Sequence, residues 1–122
     1  MSLFDWVLRG SDLIVDLHGE LDLSCSERAA QALDSLIDSN RGARRVILRM
    51  DRVTFIDSSG IGMVFGRHRR LASRGVTLAI AGASARVTRT LDLLGVSELM
   101  PVYASLERAL SAQEGVRKWN PR

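Results

Sequence analysis

The strongest constraint on the fold is a rhythm in the chain. Short apolar runs sized for buried strands alternate with longer segments whose apolar residues recur at helical spacing. The runs are Leu13 to Leu17, Val46-Ile47-Leu48, Val76 to Ala81 and Leu99 to Tyr103. Strands alternating with helices of this length require a largely parallel sheet with right-handed crossovers. The expected class is therefore α/β: a mostly parallel four- to five-stranded sheet with an N-terminal hairpin and about four helices. A chain of 122 residues has room for one such domain. Residues 1–114 are assigned to it, and 115–122, rich in charge and without periodicity, to a flexible basic tail.

Local signals place the elements. Phe4, Trp6 and Leu8 alternate with Asp5, Val7 and Arg9 as in a half-buried strand, and Gly10-Ser11-Asp12 supplies a turn into the returning strand. Ser24-Cys25-Ser26-Glu27 has the spacing of a capping box, so a helix should begin there, with Ala29, Ala30, Leu33, Leu36 and Ile37 inward. Asp51 to Asp57 reads as a loop into a second helix starting near Ser58, with Ile61, Val64, Phe65, His68 and Leu71 as its stripe and Gly75 as its stop. Ser84 can cap a third helix with Val87, Leu91 and Leu94 inward. Pro101 makes the strand from Leu99 to Tyr103 an edge strand, and Ser105 caps a last helix.

Net charge is +3, and 16 of the 17 basic residues are arginine, which raises the question of nucleic acid. Counting by blocks answers it. Residues 1–38 carry a net −6, 39–91 a net +9, 92–114 a net −3, and the excess of +3 lies in 115–122. A body that is formally neutral argues against direct nucleic-acid binding. Cys25 is the single cysteine, so no internal disulfide is possible, and a reducing, cytoplasmic setting is expected. No apolar stretch approaches the roughly 20 residues that span a bilayer, so no membrane association is expected.

The chemistry concentrates in Phe55-Ile56-Asp57-Ser58-Ser59-Gly60-Ile61-Gly62-Met63-Val64-Phe65-Gly66-Arg67. Three glycines in one helix each cost about 1 kcal/mol relative to alanine, so something must offset them. Gly62 and Gly66 share a face where another backbone can come close. That is either tight packing of the helix on its own sheet or a flat docking surface at the helix start, completed by Met63, which falls outside the apolar stripe. Asp57-Ser58-Ser59 is at least a helix cap. A sharper reading makes one hydroxyl a phosphorylation site, where a phosphate would change binding without unfolding the helix.

Enzyme readings fit poorly. Neither Ser58 nor Ser59 lies in a G-x-S-x-G elbow, the glycine spacing misses the dinucleotide fingerprint, and there is no P-loop. His18 and His68 lack metal-ligand spacing with other ligands. No catalytic activity, metal or cofactor is expected.

The segment from Phe55 to Gly62, followed by Gly66-Arg67, resembles the signature of STAS-domain anti-sigma factor antagonists, and most of all their sporulation members. His18-Gly19-Glu20-Leu21-Asp22 and Leu91-Asp92-Leu93-Leu94-Gly95-Val96 match in kind and spacing. The resemblance covers about residues 1–112. It implies a protein without enzymatic activity that, unphosphorylated, binds an anti-sigma factor that is also a serine kinase and so frees a sigma factor. It further implies that the kinase phosphorylates Ser58 to end binding and that a PP2C-type phosphatase reverses this. Asp22, Asp57, Ser59, Gly60, Ile61, Gly62 and Met63 would then lie on or near the docking face. Sporulation sigma-F control is the expected pathway, with the free protein a monomer. A general-stress antagonist, a STAS accessory module of a transporter or signalling complex, and a hydrolase pairing Ser58 with His18 stand as alternatives.

Overall fold

A computed structural model describes residues 4–112. The order is β1 (Phe4–Arg9), β2 (Asp12–Leu21), α1 (Ser26–Ser39), β3 (Arg45–Ile56), α2 (Ser58–Ala72), β4 (Thr77–Ala81), α3 (Ala85–Leu93), α4 (Val96–Leu99), β5 (Val102–Tyr103) and α5 (Leu106–Ser111). The strands form one sheet in the order β1-β2-β3-β4-β5, antiparallel at the first pairing and parallel at the other three. This is the expected class, with five helices among the described residues in place of about four.

Alternation along the strands divides the interior in two. Leu13, Val15 and Leu17 of β2 with Val46, Leu48 and Met50 of β3 face α1, α2 and α3 and form the larger core. The opposite side chains, Ile14, Ile47, Ala79 and Ala81, pack beneath Ala109, Leu106 and Leu110 of α5. Sequential strands with crossovers of one hand keep the connecting helices on one face, which leaves the other to α5. Arg45 anchors that arrangement. Its guanidinium is buried, pairs with both carboxylate oxygens of Asp12 at 2.9 Å, and donates to the carbonyls of Ala109 and Ala112 at 2.9 and 2.8 Å. Across the other face, Arg67 and Arg70 meet Asp34, and Arg70 and Arg74 meet Asp38, an ion-pair ladder joining α2 to α1.

Several expectations need correction. The segment 51–56 is not a loop, because β3 continues to Ile56 and β2 to Leu21, pairing Glu20 with Phe55 and Leu21 with Ile56 after register shifts near His18 and Gly19. Gly19 has φ +84°, the left-handed conformation that such a bulge requires. The capping box at Ser24 does not form. The Ser24 hydroxyl donates to Asp22 instead, and α1 begins after Cys25 with no side-chain cap. Leu94 lies beyond the last turn of α3, outside its inward period, and is exposed. One helical turn, α4, takes up Leu99 and shortens the edge strand to two residues. Only Phe4 of β1 is half-buried: Trp6, Val7 and Leu8 are all exposed, because no helix among the described residues covers this outermost strand. The 115–122 assignment lies outside the described residues.

Candidate functional site

The parallel strands β2 and β3 end side by side at Leu21 and Ile56. Each is followed by an aspartate that folds its own turn. The Asp57 amide donates to the Leu21 carbonyl at 3.3 Å, which ties the two strand ends together. The Asp57 carboxylate then accepts from the backbone N–H groups of Ser59 (2.9 Å) and Gly60 (3.1 Å), satisfying two of the free donors that open α2. Asp22 accepts from the amide and hydroxyl of Ser24 at 3.0 and 2.6 Å, while its carbonyl accepts from the amides of Cys25 and Ser26. The Ser24 hydroxyl bonded to it holds the Asp22 carboxyl below its ordinary value. Cys25, buried, donates its thiol to the Glu20 carbonyl at 2.9 Å.

Ser58 is the first residue of α2 and is exposed, directly after the Asp57 cap. Ser59 is half-buried. Gly60 is buried, and a Cβ there would collide with the Leu21 carbonyl and the Ile56 side chain. Close approach therefore falls at Gly60, where α2 meets the end of β2, and not at the pair sharing a face. Gly62 and Gly66 have open space where a Cβ would go, and Gly62 is exposed. Of the two readings of that face, packing against the sheet is excluded, which leaves a shallow uncovered strip on α2.

Met63 lies inside the core and not outside the stripe, at 5% exposure, and Ile61 is buried with it. The reason is that α2 is held between the sheet and α1, which widens its buried face. Sequence reasoning missed two exposed apolar side chains flanking the site, Leu23 next to Asp22 and Phe55 two residues before Asp57. Leu23 carried a signal, an apolar residue among the polar turn formers Asp22 and Ser24. Phe55 did not, since the strand that turns it outward was read as a loop.

The Ser58–His18 pairing is not formed among the described residues. His18 is half-buried, 3.4 Å from Asp5 of β1, and no hydrogen bond joins it to Ser58 among the described residues. Among those residues no group of three or more His, Cys, Asp or Glu could hold a metal ion, and no helix is long and apolar enough to cross a membrane.

Known proteins share both the sequence pattern and the fold. The chain is 34% identical over 104 residues to the anti-sigma F factor antagonist of Paenibacillus polymyxa, covering 85% of this chain and 88% of that one. Its fold matches the anti-sigma factor antagonist SpoIIAA in its unphosphorylated form with a TM-score of 0.75 at 26% identity, covering 92% and 96% of the two chains. The phosphorylated form of the Bacillus cell fate determinant SpoIIAA matches at 0.66 and 25%, over 88% and 96%. The STAS domain of a SulP transporter from Vibrio cholerae matches at 0.70 and 25%, over 95% and 89%. The STAS domain model spans residues 5–109, so the chain belongs to the STAS domain family.

Proposed function

We propose that this protein is an anti-sigma factor antagonist whose binding is switched by phosphorylation of Ser58. Unphosphorylated, it binds an anti-sigma factor that is also a serine kinase and releases the sigma factor that kinase holds. Phosphorylation ends the association, and a PP2C-type phosphatase restores it. The likeness to an anti-sigma F factor antagonist favours sigma-F control in sporulation over the general stress response. The protein itself is not an enzyme and needs no direct contact with nucleic acid.

The observation that carries this reading is the exposure of Ser58 between the Asp57 cap and the open strip at Gly62. A phosphate adds about 1.5 to 2 negative charges at neutral pH. The helix dipole favours it there, so the fold tolerates the group. Asp57, however, already takes the amides of Ser59 and Gly60, so the new charge stands beside a carboxylate with those donors spent. A partner seated over Asp22, Asp57, Ser58, Ser59 and Gly62, with Leu23 and Phe55 as apolar flanks, would meet that charge at the centre of its contact. Gly60, Ile61 and Met63 support the surface from beneath.

The test is incubation with the cognate anti-sigma kinase and ATP, followed by mass spectrometry of the peptide spanning Ser58. Phosphate on Ser58 is expected, and modification of Ser59 alone, or none with an active kinase, refutes the assignment. Ser58→Asp should weaken binding to the kinase while Ser58→Ala retains it. The match to a transporter STAS domain favours one other reading, an accessory module of a transport assembly. Pull-down of a membrane protein in place of a small kinase would select it.

A further inference from the structure

We propose that β1 pairs edge to edge with β1 of a second copy of this chain, in antiparallel register centred on Val7, in place of the monomer that the sequence suggested. β1 is an outer strand of the sheet and, among the described residues, is hydrogen-bonded only to β2, so its far side presents backbone donors and acceptors suited to another strand. Natural edges are blunted by proline, bulges or charge; β1 has no proline and pairs with β2 without a register shift, and its two charges, Asp5 and Arg9, are of opposite sign and so can be matched by a second copy. Its centre is apolar on both faces, with Trp6, Val7 and Leu8 exposed at 50%, 53% and 45%.

The sequence of the strand selects the occupant. Antiparallel pairing about Val7 sets Trp6 against Leu8 of the other copy and Val7 against itself. It also sets Asp5 against Arg9 of the other copy, twice by symmetry. Residues directly opposite in an antiparallel pair share a face, and each of these pairs joins residues of the same face: Asp5 with Arg9, and Trp6 with Leu8. Both charged side chains are available, since Arg9 is exposed and forms no ion pair among the described residues, and the Asp5 side chain is 71% exposed with a single 3.4 Å contact to His18. A register moved by two residues would lose the opposite-charge pairing. The contact is isologous, so it closes as a dimer and does not propagate.

The two-fold axis through Val7 runs the strands of the two copies in opposite directions. The Ser58 end of each copy therefore points away from that of the other, leaving both free to engage a partner. An interface of one short strand falls at the low end of protein contacts, so the dimer should be weak and concentration-dependent.

Sedimentation velocity of the full chain from low micromolar to millimolar concentration tests this. Reversible dimerisation is expected. Asp5→Arg or Arg9→Asp alone should weaken it on the order of tenfold, because two attractive pairs become repulsive, and the double exchange Asp5→Arg with Arg9→Asp should restore it. All three changes lie at exposed positions, and thermal melts confirm that each variant is folded. A chain that stays monomeric throughout overturns the proposal. A dimer indifferent to the charges places the contact elsewhere and overturns it too, as does a double exchange that fails to restore pairing.

Discussion

The carbonyl oxygen of Leu21 occupies the space that a side chain on residue 60 would need, so only glycine lets α2 start against the end of β2. Gly62, two residues on, has nothing within reach of an added methyl. The two glycines therefore answer differently to the same substitution. Gly60→Ala should destabilise the fold by about 1 to 3 kcal/mol through overpacking against backbone that cannot yield. Gly62→Ala should leave stability unchanged or raise it by up to about 1 kcal/mol from helix propensity, while filling the open strip and weakening the partner. Urea denaturation of both, with partner binding for Gly62→Ala, checks the contrast.

Asp57 supplies the cap of α2, and its loss should be felt in stability. Asp57→Ala removes the acceptor for the Ser59 and Gly60 amides and should cost about 1 kcal/mol, within the usual range for caps. Ser58→Ala, at an exposed position with no cap role, should stay within about 0.5 kcal/mol of the parent. Thermal melts that found Ser58→Ala the more damaging would contradict this assignment of roles.

Arg45 is the second vulnerable point, on the opposite face. It is buried, and removing it strands the Asp12 carboxylate and frees two carbonyls at the end of α5. Arg45→Ala should cost about 3 kcal/mol, as expected for half of a buried pair. Arg45→Lys should recover only part, because a point charge cannot bridge Asp12 and α5 at once. Urea midpoints measure both, and hydrogen exchange should rise first in α5.

Asp22 links the site to pH. Its carboxyl is held low, chiefly by the Ser24 hydroxyl, so the group binds a proton less readily in the folded state than in the unfolded one. The stabilisation is fully present above the ordinary value of 3.8 and is lost as pH falls through the lower folded value. Ser24→Ala should move the Asp22 titration midpoint up toward 3.8, read by NMR of the side-chain carboxyl. An unchanged midpoint would show that the hydroxyl is not the cause.

Much of this protein is readable from residues close together in the chain. The alternation of apolar runs and helical segments gives the α/β class. The caps at Asp57, Ser84 and Ser105 depend on partners within four residues, and all formed as read. The Asp57-Ser58-Ser59-Gly60 segment marks the site for the same reason, since a helix start is built from neighbours.

What the chain could not announce locally is whatever depends on a distant partner. Residues 51–56 look like a loop by composition and become strand only because β2 runs on to Leu21 beside them. Ser24 has the spacing of a cap, yet the carboxylate of Asp22 is the better acceptor for its hydroxyl. Met63 falls outside the stripe that helical spacing alone marks, but α1 closes over α2 and widens the buried face to include it. Asp22 and Asp57, 35 positions apart in the chain, become neighbours through one strand pairing. The sequence by itself determined the fold class and the helix start at Asp57-Ser58-Ser59-Gly60, because short-range hydrogen bonding and periodicity suffice for those. Only the tertiary structure decided which glycine is pressed against backbone, which faces open space, and which strands lie at the outside of the sheet, because each depends on what the rest of the chain brings alongside.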